Sequence, residues 1–191
     1  MTDGVSTYDP DRCHDGYTLY CESYEDPTES PDGTGKIHLV DMDGEEVHRW
    51  EVETALQSFA ELLPNGNLLY PTRDRSDVSA AGVREITPDS EVVWRYHCRI
   101  DHDFEVLDGG NLLLHTIVDD LAPAIGPELK RNPSLLEVTP EKDVVWTWRG
   151  DEHFDDLREC LPAEGWEYVR ERVDEEYPFD WAHNNTSQVI P

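Results

Sequence analysis

Apolar and polar residues alternate over short stretches along most of the chain, which is the pattern of half-buried strands. Three stretches share one plan: Val40-Asp-Met-Asp-Gly-Glu-Glu-Val-His-Arg-Trp50, Ile86-Thr-Pro-Asp-Ser-Glu-Val-Val-Trp-Arg-Tyr96 and Val138-Thr-Pro-Glu-Lys-Asp-Val-Val-Trp-Thr-Trp148. Each reads as a strand, a tight acidic turn and a second strand that closes on an aromatic residue. The turns fall at Asp43-Gly44, Asp89-Ser90 and Glu141-Lys142, residue pairs suited to hairpins. A second hairpin precedes the later two. Ala60-Glu-Leu-Leu-Pro-Asn-Gly-Asn-Leu-Leu69 matches Phe104-Glu-Val-Leu-Asp-Gly-Gly-Asn-Leu-Leu113.

Four short strands recurring every ~45 residues are the mark of a β-propeller blade. One such sheet cannot cover both of its faces and needs neighbours. The expected fold is therefore all-β, with four-stranded blades over about 16–52, 58–97 and 101–150. An insertion follows at 151–178, where Trp166, Val169 and Val173 lie at helical spacing and predict one or two short helices. Residues 179–191 read as the start of a fourth blade. Closed propellers have 4–8 blades, so we expect an incomplete propeller, the front part of a longer protein. Its open blade edges offer a route to self-association.

Charge narrows the partners. Acidic residues number 43 and basic ones 15, for a formal net charge of −28. That balance excludes a protein gripping nucleic acid or an anionic membrane through a basic face. No apolar run is long enough to span a bilayer, and no export segment precedes the first repeat. We therefore expect a cytoplasmic location. Lysine occurs only at 36, 130 and 142. An acidic, lysine-poor surface suits a halophilic setting, where the Debye length at about 1 M salt is roughly 3 Å and self-repulsion is screened. Cysteines at 13, 21, 98 and 160 show no zinc-type spacing, and reduced, mostly buried thiols are expected. No cofactor and no catalytic metal are expected.

Candidate chemistry sits where the chain leads into the first strand of a blade, the strand nearest a propeller's axis. The repeats place Ser58, His102 and the region of His183 there. Both histidines lie in polar settings, Asp101-His102-Asp103-Phe104 and Trp181-Ala182-His183-Asn184-Asn185. Equivalent positions in successive blades converge, so imidazoles far apart in sequence can share a pocket. His97, His115 and His153 do not hold this position, and His14, His38 and His48 read as surface or strand residues.

The same residues resemble the arylsulfotransferase (arylsulfate sulfotransferase) family of β-propellers. The likeness runs through Gly16-Tyr-Thr-Leu-Tyr20, the Leu39-Val-Asp-Met-Asp-Gly44 turn with Trp50, and Glu61-Leu-Leu-Pro-Asn-Gly-Asn67. It continues in His102-Asp-Phe104, Val144-Val-Trp-Thr-Trp148 and Trp181-x-His183-x-Asn185. The resemblance implies sulfuryl transfer from a phenolic sulfate ester to a phenolic acceptor through a sulfated histidine. It makes His102 and His183 the catalytic residues, binding and neutralising sulfuryl oxygens. Asp101, Asp103 and Asn185 are read as the polar groups that bind substrate. In the family the arginine lies further along the fourth blade and the nucleophilic histidine in a later one, so the isolated chain is expected to be inactive. Asp101 stands where many members carry a second histidine. The rival reading is a non-catalytic propeller serving as a platform for a ligand or partner protein.

Overall fold

A computed structural model describes residues 4–22, 35–54, 56–72, 80–171, 173 and 179–190. The chain is all-β, built of antiparallel sheets of propeller type with a small helical insertion. It forms two compact units, Met1–Cys98 and Arg99–Pro191.

The first unit holds two sheets. One is β1 (Thr18–Cys21), β2 (Gly35–Val40) and β3 (Glu46–Val52), in sequential order. The other is β4 (Glu61–Leu62), β5 (Leu68–Thr72), β6 (Gly82–Ile86) and β7 (Val92–His97). Ile37, Trp50 and Val52 of the first pack with Leu56, Leu68, Tyr70 and Ile86 of the second, all nearly inaccessible. Residues in β5 are buried at every position, as expected of a strand covered on both faces. Burial also pushes the Tyr70 phenol above its ordinary range.

The second unit holds one sheet, β8 (Ile100–Val106), β9 (Leu112–Leu121), β10 (Leu129–Val138) and β11 (Val144–Arg149), paired sequentially. A 3-10 turn (Gly150–His153) leads to α1 (Asp156–Cys160) and α2 (Ala163–Glu171). Phe154, Val173 and Trp181 bury together with Ala122 and Ile125, and Leu157, Trp166 and Val169 pack against them. The helical spacing of 166, 169 and 173 thus marks the face turned to this cluster.

The three acidic hairpins have one geometry. The fourth loop residue takes a left-handed backbone, φ 81° at Gly44, 67° at Ser90 and 76° at Lys142. The strand register shifts beside each, at Leu39/Val40, Glu85/Ile86 and Glu137/Val138. This is a type I turn completed by a left-handed residue and a bulge. The Asn-Gly-Asn and Gly-Gly-Asn hairpins are latched alike, with Asn67 Nδ2 donating to Glu85 and Asn111 Nδ2 to Glu137, each at 2.6 Å.

One expectation needs correction. All four cysteines are free, but Cys13 and Cys160 are exposed and none is fully buried. His38 is a strand residue, as expected: β2 turns it inward, and at 7% exposure it bonds Glu46 through Nδ1 at 2.7 Å and stacks on Tyr20.

Candidate functional site

The site begins with a break in a strand pair. β8 and β9 are in register at Ile100 with Thr116 and again at Phe104 with Leu114. Asp101, His102 and Asp103 therefore face a single residue of β9, His115. Such a bulge unpairs backbone groups and re-aims side chains. His102 sits at its middle with φ 65°, a left-handed conformation that costs a residue with a Cβ about 1–2 kcal/mol. Its ring is 41% exposed, with Nε2 3.6 Å from Asp101 Oδ1.

The second sheet carries the same device. Leu56 bridges Thr72, and pairing resumes at Glu61 with Leu69. Again the first strand of the sheet has two residues in excess, and Ser58 holds the place of His102. Here the Gln57 N–H donates to the Pro71 carbonyl at 3.0 Å. The equivalence of Ser58 and His102 is thus one of backbone geometry as well as of spacing.

His183 lies beyond the helical insertion. Trp181, buried, anchors the approach: its Nε1–H donates to Asn132 Oδ1 at 3.0 Å, and it meets Phe154 edge-on. His183 also has a left-handed backbone, φ 45°. Its exposed ring bonds Asp180 Oδ2 through Nδ1 at 2.7 Å. Asp180 in turn faces Arg131, whose guanidinium lies over Phe179 and whose backbone N–H donates to the Phe179 carbonyl.

Two carboxylates of β8 join the histidine-bearing segments. Asp103 Oδ2 accepts from Thr186 Oγ1 at 2.6 Å and from the Ser187 N–H at 2.8 Å. Glu105 Oε2 accepts from the Val189 N–H at 3.1 Å. Residues 103 and 105 share one face of β8, and 187 and 189 share one edge of an extended segment. Residues 183–190 form no strand ladder, so side chains here take the place of backbone pairing. Asn185 is exposed. No hydrogen bond links the two imidazoles.

Beside His183 a cavity of about 260 Å³ opens between sheet and insertion, lined chiefly by Trp148, His153, Leu157, Val169, Trp181 and Asn184. His153 stacks on Trp148 and bonds Asp156. Arg149, on the same strand as Trp148, forks onto Asp151, and that hydrogen bonding raises its pKa further. Among the described residues, no group of three or more His, Cys, Asp or Glu side chains could hold a metal ion. No described helix is long and apolar enough to cross a membrane.

A family model, arylsulfotransferase (ASST), matches residues 30–191. The chain belongs to the arylsulfotransferase family. A search of curated proteins gave no match. Within this family frame, sequence reasoning had passed over His115, Arg131, Asn132 and Thr186. His115 was set aside because it stands outside the shared blade position, and only the β8–β9 register reveals its place. The polar Asn132, inside an otherwise strand-like run, was a signal that could have been read: it is fully buried and holds Trp181.

Proposed function

We propose that this chain forms part of an enzyme that moves a sulfuryl group from an aryl sulfate to a phenol by way of a sulfated histidine. His102 and His183 supply N–H donors to the sulfuryl oxygens. Charge spreads onto those oxygens as the sulfur–aryl oxygen bond breaks, so fixed donors there lower the barrier. Asp101 and Asp180 orient the two rings, each through one nitrogen, and leave the other for substrate. Asp103 holds the His183 segment against β8, and Asn185 offers its amide to the ester. The aromatic cavity beside Asn184 takes the phenyl ring. Alone, the chain binds the ester without completing transfer.

The observation that carries this reading is the tie at Asp103, which unites two family motifs distant in sequence within one compact unit. The test is titration of the chain with nitrophenyl sulfate in concentrated salt, read by NMR at the histidine ring protons. His102 and His183 should shift together with one affinity. His102→Ala and His183→Ala should each weaken binding about tenfold, and nitrophenol should not be released. Shifts confined to other histidines, or variants that bind as tightly as the parent, would remove both residues from the site.

A further inference from the structure

Facing the bulge that presents His102, one buried side-chain nitrogen has no hydrogen-bond partner. His115 is 1% exposed, and its Nε2 has no hydrogen-bond partner. Its Nδ1 bonds the backbone carbonyl of Asp101. A carbonyl only accepts, so Nδ1 carries a proton, and in the neutral ring Nε2 is then the bare nitrogen. Thr116 and Leu114, flanking His115, pair with Ile100 and Phe104 in the ladder. His115 is thus the one residue of β9 that faces the bulge, and its side chain reaches the carbonyl next to His102.

The second sheet has the same bulge without this side-chain bond. There the corresponding position on β5 is Pro71, whose carbonyl takes the Gln57 N–H. A backbone bond steadies the loop that carries Ser58. In the third sheet a side chain of the partner strand supplies a donor of its own, to the Asp101 carbonyl of the bulged strand. A buried histidine with one nitrogen unpartnered carries a desolvation cost of about 1–3 kcal/mol. A leucine would avoid that cost and suit the apolar neighbours Leu113 and Leu114. Phe104, the next ladder residue, is buried and fixes one end of the bulge; Ile100 fixes the other.

We propose that His115 is a positioning residue for His102. Its Nδ1–H clamps the Asp101 carbonyl, which fixes the bulge and with it the left-handed backbone that presents the His102 ring. The assignment of a reaction to that ring rests on the function proposed above; the clamp itself does not.

Two replacements separate donor from volume. His115→Phe fills the space and removes the donor. His115→Asn loses volume but keeps an N–H near the place of Nδ1. Long-range nitrogen–proton NMR of the parent should show His115 as the Nδ1–H tautomer. In His115→Phe, amide exchange at His102 and Asp103 should rise about tenfold, and nitrophenyl sulfate should shift the His102 ring protons with about tenfold weaker affinity. His115→Asn should restore both towards the parent. Exchange within β10 should stay unchanged in either variant, which marks an intact sheet.

An Nε2–H tautomer would overturn the proposal. So would parent-like behaviour of His115→Phe, or equal loosening in Phe and Asn variants, which would assign His115 to packing alone. A general loss of protection in β10 would overturn it too, since His115 would then hold the sheet rather than the bulge. If the parent's His102 ring ignores the sulfate ester while the exchange pattern holds, the functional reading fails and the clamp stands.

Discussion

Replacing Asp103 with alanine removes the acceptor for Thr186 and Ser187, bonds of 2.6 and 2.8 Å in the structure. Hydrogen bonds to a charged group contribute about 1.5–3 kcal/mol each when well shielded. The Thr186 bond is exposed and the Ser187 bond only half-buried, so solvent screening reduces the pair to about 1.5–3 kcal/mol in total. Each 1.36 kcal/mol is a factor of ten. Amide exchange at Ser187 should therefore quicken roughly ten- to hundredfold in Asp103→Ala. Asp103→Asn keeps a neutral acceptor and should fall between. Glu105→Gln should act on Val189 alone, through its single 3.1 Å bond. Hydrogen exchange by mass spectrometry, with β9 and β10 as internal reference, measures all three. Unchanged exchange at Ser187 in Asp103→Ala would refute the idea that carboxylates dock this segment.

The hydrogen bond from His38 holds the Glu46 carboxyl below the usual carboxylate range. A depressed carboxylate adds stability above its unfolded value, near 4.5, and loses it as pH falls through the folded one. Glu46→Gln should thus be less stable than the parent at neutral pH in urea unfolding, with the gap closing in acid; an equal gap at both would count against this pair. Lys142→Gly should raise stability by about 1 kcal/mol by relieving a left-handed residue, read as a higher urea midpoint. Ser90→Gly should gain less, because Ser90 Oγ accepts the Glu51 N–H at 3.0 Å. Thermal unfolding should move to higher temperature as potassium chloride rises towards molar, given the net charge of −28; a flat or falling curve would dismiss salt adaptation.

Hairpins were the legible part of the fold, because a turn announces itself locally. Asp43-Gly44 and Asn65-Gly66 carry their backbone geometry in their residue types, and Ser90 and Lys142 were found only because they repeat the first case. The insertion's helical face was legible for the same reason, through Trp166, Val169 and Val173. Bulges were not. Nothing in Asp101-His102-Asp103 signals two residues in excess, since that depends on which residue of β9 lies across. The part played by His115 was hidden with it. Asp103 was read as meeting substrate, yet its carboxylate is engaged 83 and 84 residues along the chain, a pairing that periodicity cannot express. Trp146 is 46% exposed, since β11 is an edge strand of its sheet.

The bulge opposite Pro71 and the bulge opposite His115 have a wider bearing. A kink present with serine at its crest, and again with imidazole, belongs to the architecture of the repeat rather than to any one reaction. Chemistry can then be gained, lost or exchanged by altering a single codon on a crest already shaped to display it. Such a scaffold diversifies cheaply, and its silent crests are the places where an engineer would first plant a new reactive group.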